Sequence, residues 1–300
     1  MQLEAKGSRR TAFGPFELRP ADVVILAALA LFSLLAVGGR ATVARWPALV
    51  ATNLAVAAAV LASTALLARL RRPLPVFLLR TVTVSLSYAY LFEAVSGLQL
   101  IFHGRFRDDL VLAFEERLFG AQPTLWMERF VTPSLTEWLM FCYVIYVPLY
   151  PVLCGILQWK RGADAVEEYF FTLGLANVLC DVGFILFPVA SPLYWMPDRY
   201  RVPLDGWVFT WAGELIRTRT HFPGGSIPSP HAAAATVMLL MAWKHHRPTF
   251  WLLSPVILSL YVSTVYGRFH YVTDAIAGIA TGILAAILAP HLLGLGAARE

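Results

Sequence analysis

Long apolar runs, separated by short charged or Gly- and Pro-rich breaks, set the pattern of the chain. Eight runs lie roughly at 21–38, 48–68, 74–101, 134–157, 165–188, 228–243, 249–267 and 270–293. Most approach the ~20 residues that a helix needs to cross bilayer hydrocarbon. The sixth is the shortest. The third is the most polar, with Arg80, Ser85, Ser87, Glu93 and Gln99 inside it. The pattern predicts an all-α fold, a polytopic transmembrane helical bundle of about eight spans. Two connecting segments are long. Residues 102–133 contain an amphipathic stretch, Asp108 to Phe119, whose apolar positions are Leu110, Val111, Leu112, Phe114, Leu118 and Phe119. It predicts a helix that caps the bundle, in preference to one lying in the membrane interface. Residues 189–227 are rich in Pro, Trp, Tyr, Arg and Gly, which predicts an ordered segment, a candidate lid. The run Ala232 to Ala235 reads as a close helix-packing face.

Composition sharpens this picture. The chain has 300 residues, of which 58% are hydrophobic and 14% charged, and its mean hydropathy is +0.63. A soluble domain of that size needs more charge to cover its surface. The net charge of +5 does not point to nucleic acid, because Lys and Arg cluster at the ends of apolar runs. The basic N-terminus (Lys6, Arg9, Arg10, Arg19), Arg69–Arg71–Arg72, Lys160–Arg161 and Lys244 to Arg247 fall on one side of an eight-span chain. That side is expected to be cytoplasmic, with both termini inside. The first span is expected to be retained rather than cleaved. Cys142, Cys154 and Cys180 lie inside apolar runs and show neither disulfide nor metal-ligand spacing.

Two histidine motifs carry the chemistry, and both fall on the opposite, extracytoplasmic face. In Gly224-Gly225-Ser226-Ile227-Pro228-Ser229-Pro230-His231, Ser229 is a good N-cap and Pro230 suits the first helical position. His231 then sits in a first turn, where free N–H groups and the helix dipole favour phosphate. Gly225 allows close backbone approach. In Tyr266-Gly267-Arg268-Phe269-His270-Tyr271-Val272-Thr273-Asp274, His270 and Asp274 share a helix face. An Asp beside a histidine fixes its tautomer, and the Arg268 guanidinium suits phosphate oxygens. Each motif alone also reads as an ordinary interfacial helix start. Together they place two imidazoles at one depth on one face.

Pro228-Ser229-Pro230-His231 resembles the Pro-Ser-x-His motif of the type-2 phosphatidic acid phosphatase superfamily. Tyr266 to Gly278 resembles its His-x-x-x-Asp motif, in the branch that includes fungal inositol phosphorylceramide synthase. Leu118 to Pro123 and Phe187 to Pro192 are similar to segments of bacterial members of that branch. The resemblance covers roughly residues 80–293. It implies a six-helix catalytic core at 74–300, with residues 1–73 as a basic tail plus two additional spans. It implies a metal-independent lipid phosphatase or phospho-headgroup transferase of the bacterial plasma membrane, without cofactor, acting on a lipid-linked phosphate. His270 would attack phosphorus, Asp274 would orient it, and His231 would act as acid and then base. Arg268, Ser229, Pro228 and Gly225 would hold the phosphate, and Asp181, Asn177 and Tyr266 are candidate cavity-lining residues. The chain departs from the family where an Arg six residues before His270 is replaced by Thr264, where Pro230 replaces a Gly, and where the Lys-to-Arg-Pro motif is absent. Arg199, Arg201, Arg217 and Arg219 are candidate substitutes.

Other readings stay open on the residues alone. Two histidines and a carboxylate suit zinc, but Arg268 beside them repels a cation. A non-catalytic lipid-binding or transport protein on the same fold is the rival, and it predicts that the two imidazoles diverge. His103 and His221 read as solvated. Tyr143, Tyr146, Tyr150, Trp138 and Trp195 read as packing or aromatic-belt residues.

Overall fold

The computed structural model describes residues 11–13, 16–220 and 222–294. Lys6, Arg9, Arg10, His221 and the Arg219 side chain lie outside the described residues. A short antiparallel hairpin, β1 (Thr11–Phe13) and β2 (Phe16–Leu18), precedes the helices. The sequence pattern did not predict it.

The chain then forms α1 (Pro20–Gly38), α2 (Trp46–Leu67), α3 (Pro73–Ser96) and the shorter α4 (Asp108–Phe119). A single turn, α5 (Pro123–Trp126), leads to α6 (Pro133–Arg161) and α7 (Ala163–Leu186). A second single turn, α8 (Pro192–Trp195), precedes α9 (Val208–Thr220), α10 (Pro230–His245), α11 (Arg247–Tyr266) and α12 (Val272–Leu292). Among the described residues, seven helices are long and apolar enough to cross a membrane: α1, α2, α3, α6, α7, α11 and α12. The predicted sixth span corresponds to α10, whose 16 residues rise only about 24 Å.

Although short, α10 is the centre of the bundle, with α6, α7, α11 and α12 packed around it. Ser229 starts it by accepting the Ala232 N–H at 3.3 Å, and Pro230 occupies the first helical position, where a missing N–H costs nothing. Ala232 to Ala235 are fully buried. Opposite them, α12 presents Gly278 and Gly282. A Cβ at Gly278 would strike the Ser229 carbonyl, and one at Gly282 the Ala233 carbonyl. This small-residue seam brings two backbones together, the packing that membrane helices use where apolar burial supplies no drive.

The two ends of the bundle differ in charge. At one end, Arg80 of α3 pairs with Asp22 of α1 and, at 2.8 Å, with Glu167 of α7. Arg19 reaches the same Glu167 at 2.6 Å. Lys244 and His245 pair with Glu168, and Arg161 donates to the His245 carbonyl at 2.7 Å. Arg19, Arg161, Lys244 and His245, among the basic residues singled out from sequence, therefore lie at this end, where Arg19, Arg80, Asp22 and Glu167 form a four-charge cluster of zero net charge. The histidine motifs lie at the other end.

Candidate active site

The site is built where α10 and α12 begin. Thr264, near the end of α11, turns the chain toward it. Its carbonyl accepts the backbone N–H groups of Phe269 at 3.0 Å and His270 at 2.9 Å. Arg268 between them adopts φ 67°, a left-handed conformation that a side chain with a Cβ rarely takes. That turn delivers the His270 ring to the mouth of α10.

His270 is buried, and its two nitrogens have different partners. Nδ1 lies 3.1 Å from the Ser226 carbonyl and 3.6 Å from Asp274 Oδ2. A carbonyl only accepts, so Nδ1 carries the hydrogen and donates it. Nε2 then holds the lone pair, and it lies 3.3 Å from Nδ1 of His231. The imidazoles converge, with ring centroids 5.5 Å apart. The His231 ring is held by Tyr143, stacked at 5.0 Å, and by Tyr146 at 5.2 Å. Tyr143 stacks in turn on Phe269 at 4.2 Å.

Asp274 is fully buried. Its Oδ2 accepts from Ser226 Oγ at 2.5 Å and from the Tyr271 N–H at 3.0 Å, capping α12. Its backbone carbonyl accepts the Ser229 N–H at 2.9 Å. One carboxylate residue thus joins the loop before α10 to the start of α12. Gly225, at φ 64°, donates its N–H to Gln99 Oε1 at 2.6 Å. Gly224 stands against the same Gln99 side chain, so the glycine pair seats the loop on the end of α3. Pro228 packs against α7, where a Cβ on Gly183 would strike its ring.

Arg268 points away from the imidazoles. Its guanidinium donates to Glu128 at 3.1 Å and to the Val202 carbonyl, and lies 4.1 Å over the Tyr200 ring. Burial pushes its pKa down, and Glu128 opposes that. It lines an outer cavity of about 500 Å³ together with Arg217, Glu214, Asp205, Trp207 and Trp211. Asp181, Asn177 and His231 line a different cavity, of about 630 Å³. Tyr266 lines neither. Its hydroxyl bonds Thr136 at 2.6 Å, tying α11 to α6.

The predicted amphipathic helix is α4, and its orientation is unusual. It turns Asp108, Val111 and Glu115 inward and leaves Leu110, Phe114, Leu118 and Phe119 about half exposed. Asp108 accepts the N–H groups of Ala190 at 2.8 Å and Ser191 at 3.1 Å and the Tyr271 hydroxyl at 3.0 Å. Burial raises its pKa to about 6 against those hydrogen bonds. Glu115 accepts from the Thr273 N–H at 2.8 Å and its hydroxyl at 3.0 Å, and burial raises its pKa too. The polar side of α4 therefore grips the first turn of α12.

Carboxylates of neighbouring elements hold the 189–227 segment at several points. Glu137 of α6 caps α9 by accepting from Trp207, Phe209 and Thr210. Glu128 accepts the N–H groups of Arg201 and Val202 at 2.9 and 3.0 Å. His103, read from sequence as solvated, bonds the Leu186 carbonyl at 2.9 Å and Arg107 at 3.1 Å. Ser226, Gln99, Asp108, Glu115, Glu128 and Glu137 were not singled out as site-building residues. Each meets its partner across a long stretch of sequence, and no local spacing announces such a pairing.

The structure is an α-helical membrane bundle in which two histidines converge at one end, one of them backed by a buried carboxylate, and these features define its class of integral membrane protein. The model of the PAP2 superfamily matches residues 110–288. That is more than half of the chain, and the protein belongs to this superfamily. Membership points to phosphatase or phosphotransferase chemistry. No curated protein and no solved structure matches the chain.

Proposed function

We propose that the protein cleaves a phosphoester of a lipid-linked substrate through a phosphohistidine, with water or an alcohol headgroup as acceptor. The observation that carries this reading is the Nε2 of His270, left with its lone pair by the Ser226 carbonyl and facing His231 at 3.3 Å. Nε2 attacks phosphorus, and an N–P bond forms as the bond to the leaving oxygen breaks. His231, protonated, gives its proton to that oxygen. Water or an alcohol then attacks phosphorus, loses its proton to His231, and the N–P bond breaks. A separation of 3.3 Å leaves no room for a phosphoryl group, so the imidazoles part when substrate enters.

Asp274 and the Ser226 carbonyl stabilise charge on His270 as it is phosphorylated. The positive end of α10, with Ser229, Pro228 and Gly225 shaping the loop before it, faces the phosphate oxygens. Arg268 joins them by exchanging the Glu128 carboxylate for phosphate, and removal of one such donor costs about 10²–10³ in rate. The positive-inside pattern supports a cytoplasmic basic end and an extracytoplasmic site. The motif resemblance to inositol phosphorylceramide synthase keeps an alcohol acceptor open beside water.

The test is phosphate release and headgroup exchange by purified protein on a panel of lipid phosphates and phospholipids, with His270→Ala alongside. Turnover that vanishes in the variant, with an N–P adduct on His270 found by mass spectrometry at neutral pH, supports the reading. Turnover that survives the substitution overturns it.

A further inference from the structure

The cavity of about 630 Å³ beside His231 has a shape and a chemistry that phosphoryl transfer does not use. Its walls are α3, α6 and α7. Pro230 and His231 close its outer end, and on α3 the lining runs from Phe92 to Thr81, eleven residues deeper. At 1.5 Å per residue, the slot therefore runs about 16 Å along the bundle. Val82 and Leu86 of α3 and Val147 of α6 line it and are each more than half exposed on membrane-spanning helices. Its mouth thus opens sideways into hydrocarbon. The dimensions fit one extended hydrocarbon chain entering from the bilayer, within the usual range of ligand cavities.

One feature of this apolar slot is out of place. Asp181 is 3% exposed, and its Oδ2 has no hydrogen-bond partner among the described residues. A buried carboxyl oxygen left unpaired costs about 1–3 kcal/mol. Ionisable groups inside membrane spans mark ligand contacts by default. Asp181 lies five residues before the end of α7, with Asn177 a turn deeper, and both line the slot. A chain whose head is at His231 passes Asp181 within a few bonds of that head.

We infer that the slot binds a single lipid chain that carries a hydrogen-bond donor, a hydroxyl or amide N–H, next to its head, and that Asp181 accepts from that donor. Asp181 is then a specificity-determining residue. It selects lipids with a free donor below the reacting oxygen over chains that have none. The inference rests on the reading of His231 as part of the phosphoester site, but its test uses binding alone.

The full-length protein in phosphatidylcholine nanodiscs is photolabelled with a diazirine-tagged monoacylglycerol, which carries free hydroxyls. The comparison probe is the methyl ester of the same tagged fatty acid, which is smaller and has no donor. Peptide mapping is expected to place the monoacylglycerol label on the Leu86 and Val147 regions, with about a tenfold preference over the ester, the worth of one buried hydrogen bond. Asp181→Leu is expected to bring the two probes to parity while the slot still labels. Ala89→Phe, which fills the slot from α3, is expected to abolish labelling by both. Equal labelling of the wild type by both probes, or label confined to other helices, overturns the inference without reference to any variant. Neither probe contains phosphate. Failure here with intact His270-dependent turnover therefore sinks the slot alone, and slot labelling without turnover sinks the proposed reaction alone.

Discussion

At the scale of single residues, the proposed reaction turns on which nitrogen of His270 carries its hydrogen. The Ser226 carbonyl, at 3.1 Å, is closer to Nδ1 than Asp274 is at 3.6 Å. Backbone therefore fixes the tautomer, and the carboxylate supplies charge. This division predicts unequal effects. Ser226→Ala keeps the carbonyl and is expected to cost turnover no more than about tenfold, the loss of one hydrogen bond to Asp274. Asp274→Asn removes the charge and is expected to cost roughly 10²–10⁴ in kcat. Steady-state kinetics of the two variants decide it, and a larger loss for Ser226→Ala would reverse the assignment. Asp108 gives a pH prediction. Its folded pKa of about 6 lies above the ordinary 3.8, so the folded state binds the proton more tightly than the unfolded state does. The stabilisation is fully present below pH 3.8 and is lost as pH rises through about 6. Relative to Asp108→Asn, the wild type is expected to lose about 2 kcal/mol between pH 4 and 7. Thermal unfolding of both proteins at a fixed scan rate across that window is the measurement, and parallel curves would refute it.

At the scale of elements, the small-residue seam sets the distance between the two imidazoles. His231 begins α10 and His270 precedes α12, so any spacer between these helices separates the rings. Gly278→Ala places a methyl against the Ser229 carbonyl. It is expected to cost on the order of 10²-fold in kcat, because misplacement by about 1 Å is that expensive. Expression and helix content should be nearly unchanged; a fully active Gly278→Ala protein would show that the seam does not position the site. The long helices and α4 were legible from sequence, whereas the hairpin and α9 were not. Apolar runs marked the helices, and the amphipathic stretch Asp108 to Phe119 matches α4 in its limits. Ser229 and Pro230 marked the start of α10 because capping is local chemistry. What sequence did not reveal depends on packing. The apolar face of α4 was expected to cap the bundle, but Asp108 and Glu115 do so instead. Their partners Tyr271 and Thr273 lie more than 150 residues away. The direction of Arg268 was equally hidden, since it is decided by Glu128, Val202 and Tyr200.

At the scale of the molecule, the helices outside the superfamily match are bolted to the rest by charge. Arg80 joins α3 to Asp22 of α1 and Glu167 of α7. Arg80→Met leaves two buried carboxylates without that cation and is expected to destabilise by about 3–5 kcal/mol. Adding Asp22→Asn and Glu167→Gln to it should recover much of the loss. Denaturation of the single and triple variants in one detergent checks both, and an undiminished midpoint for Arg80→Met would mean that the cluster holds nothing together. The opposite end is held differently, through α4. Its polar side holds Tyr271 and Thr273, and its apolar side, Leu110, Phe114, Leu118 and Phe119, faces outward. A bilayer covering that side would moor the turn that carries His270 to lipid as well as to protein. On the proposed reaction, turnover is then expected to change with membrane thickness and lateral pressure, because α4 would carry both to that turn.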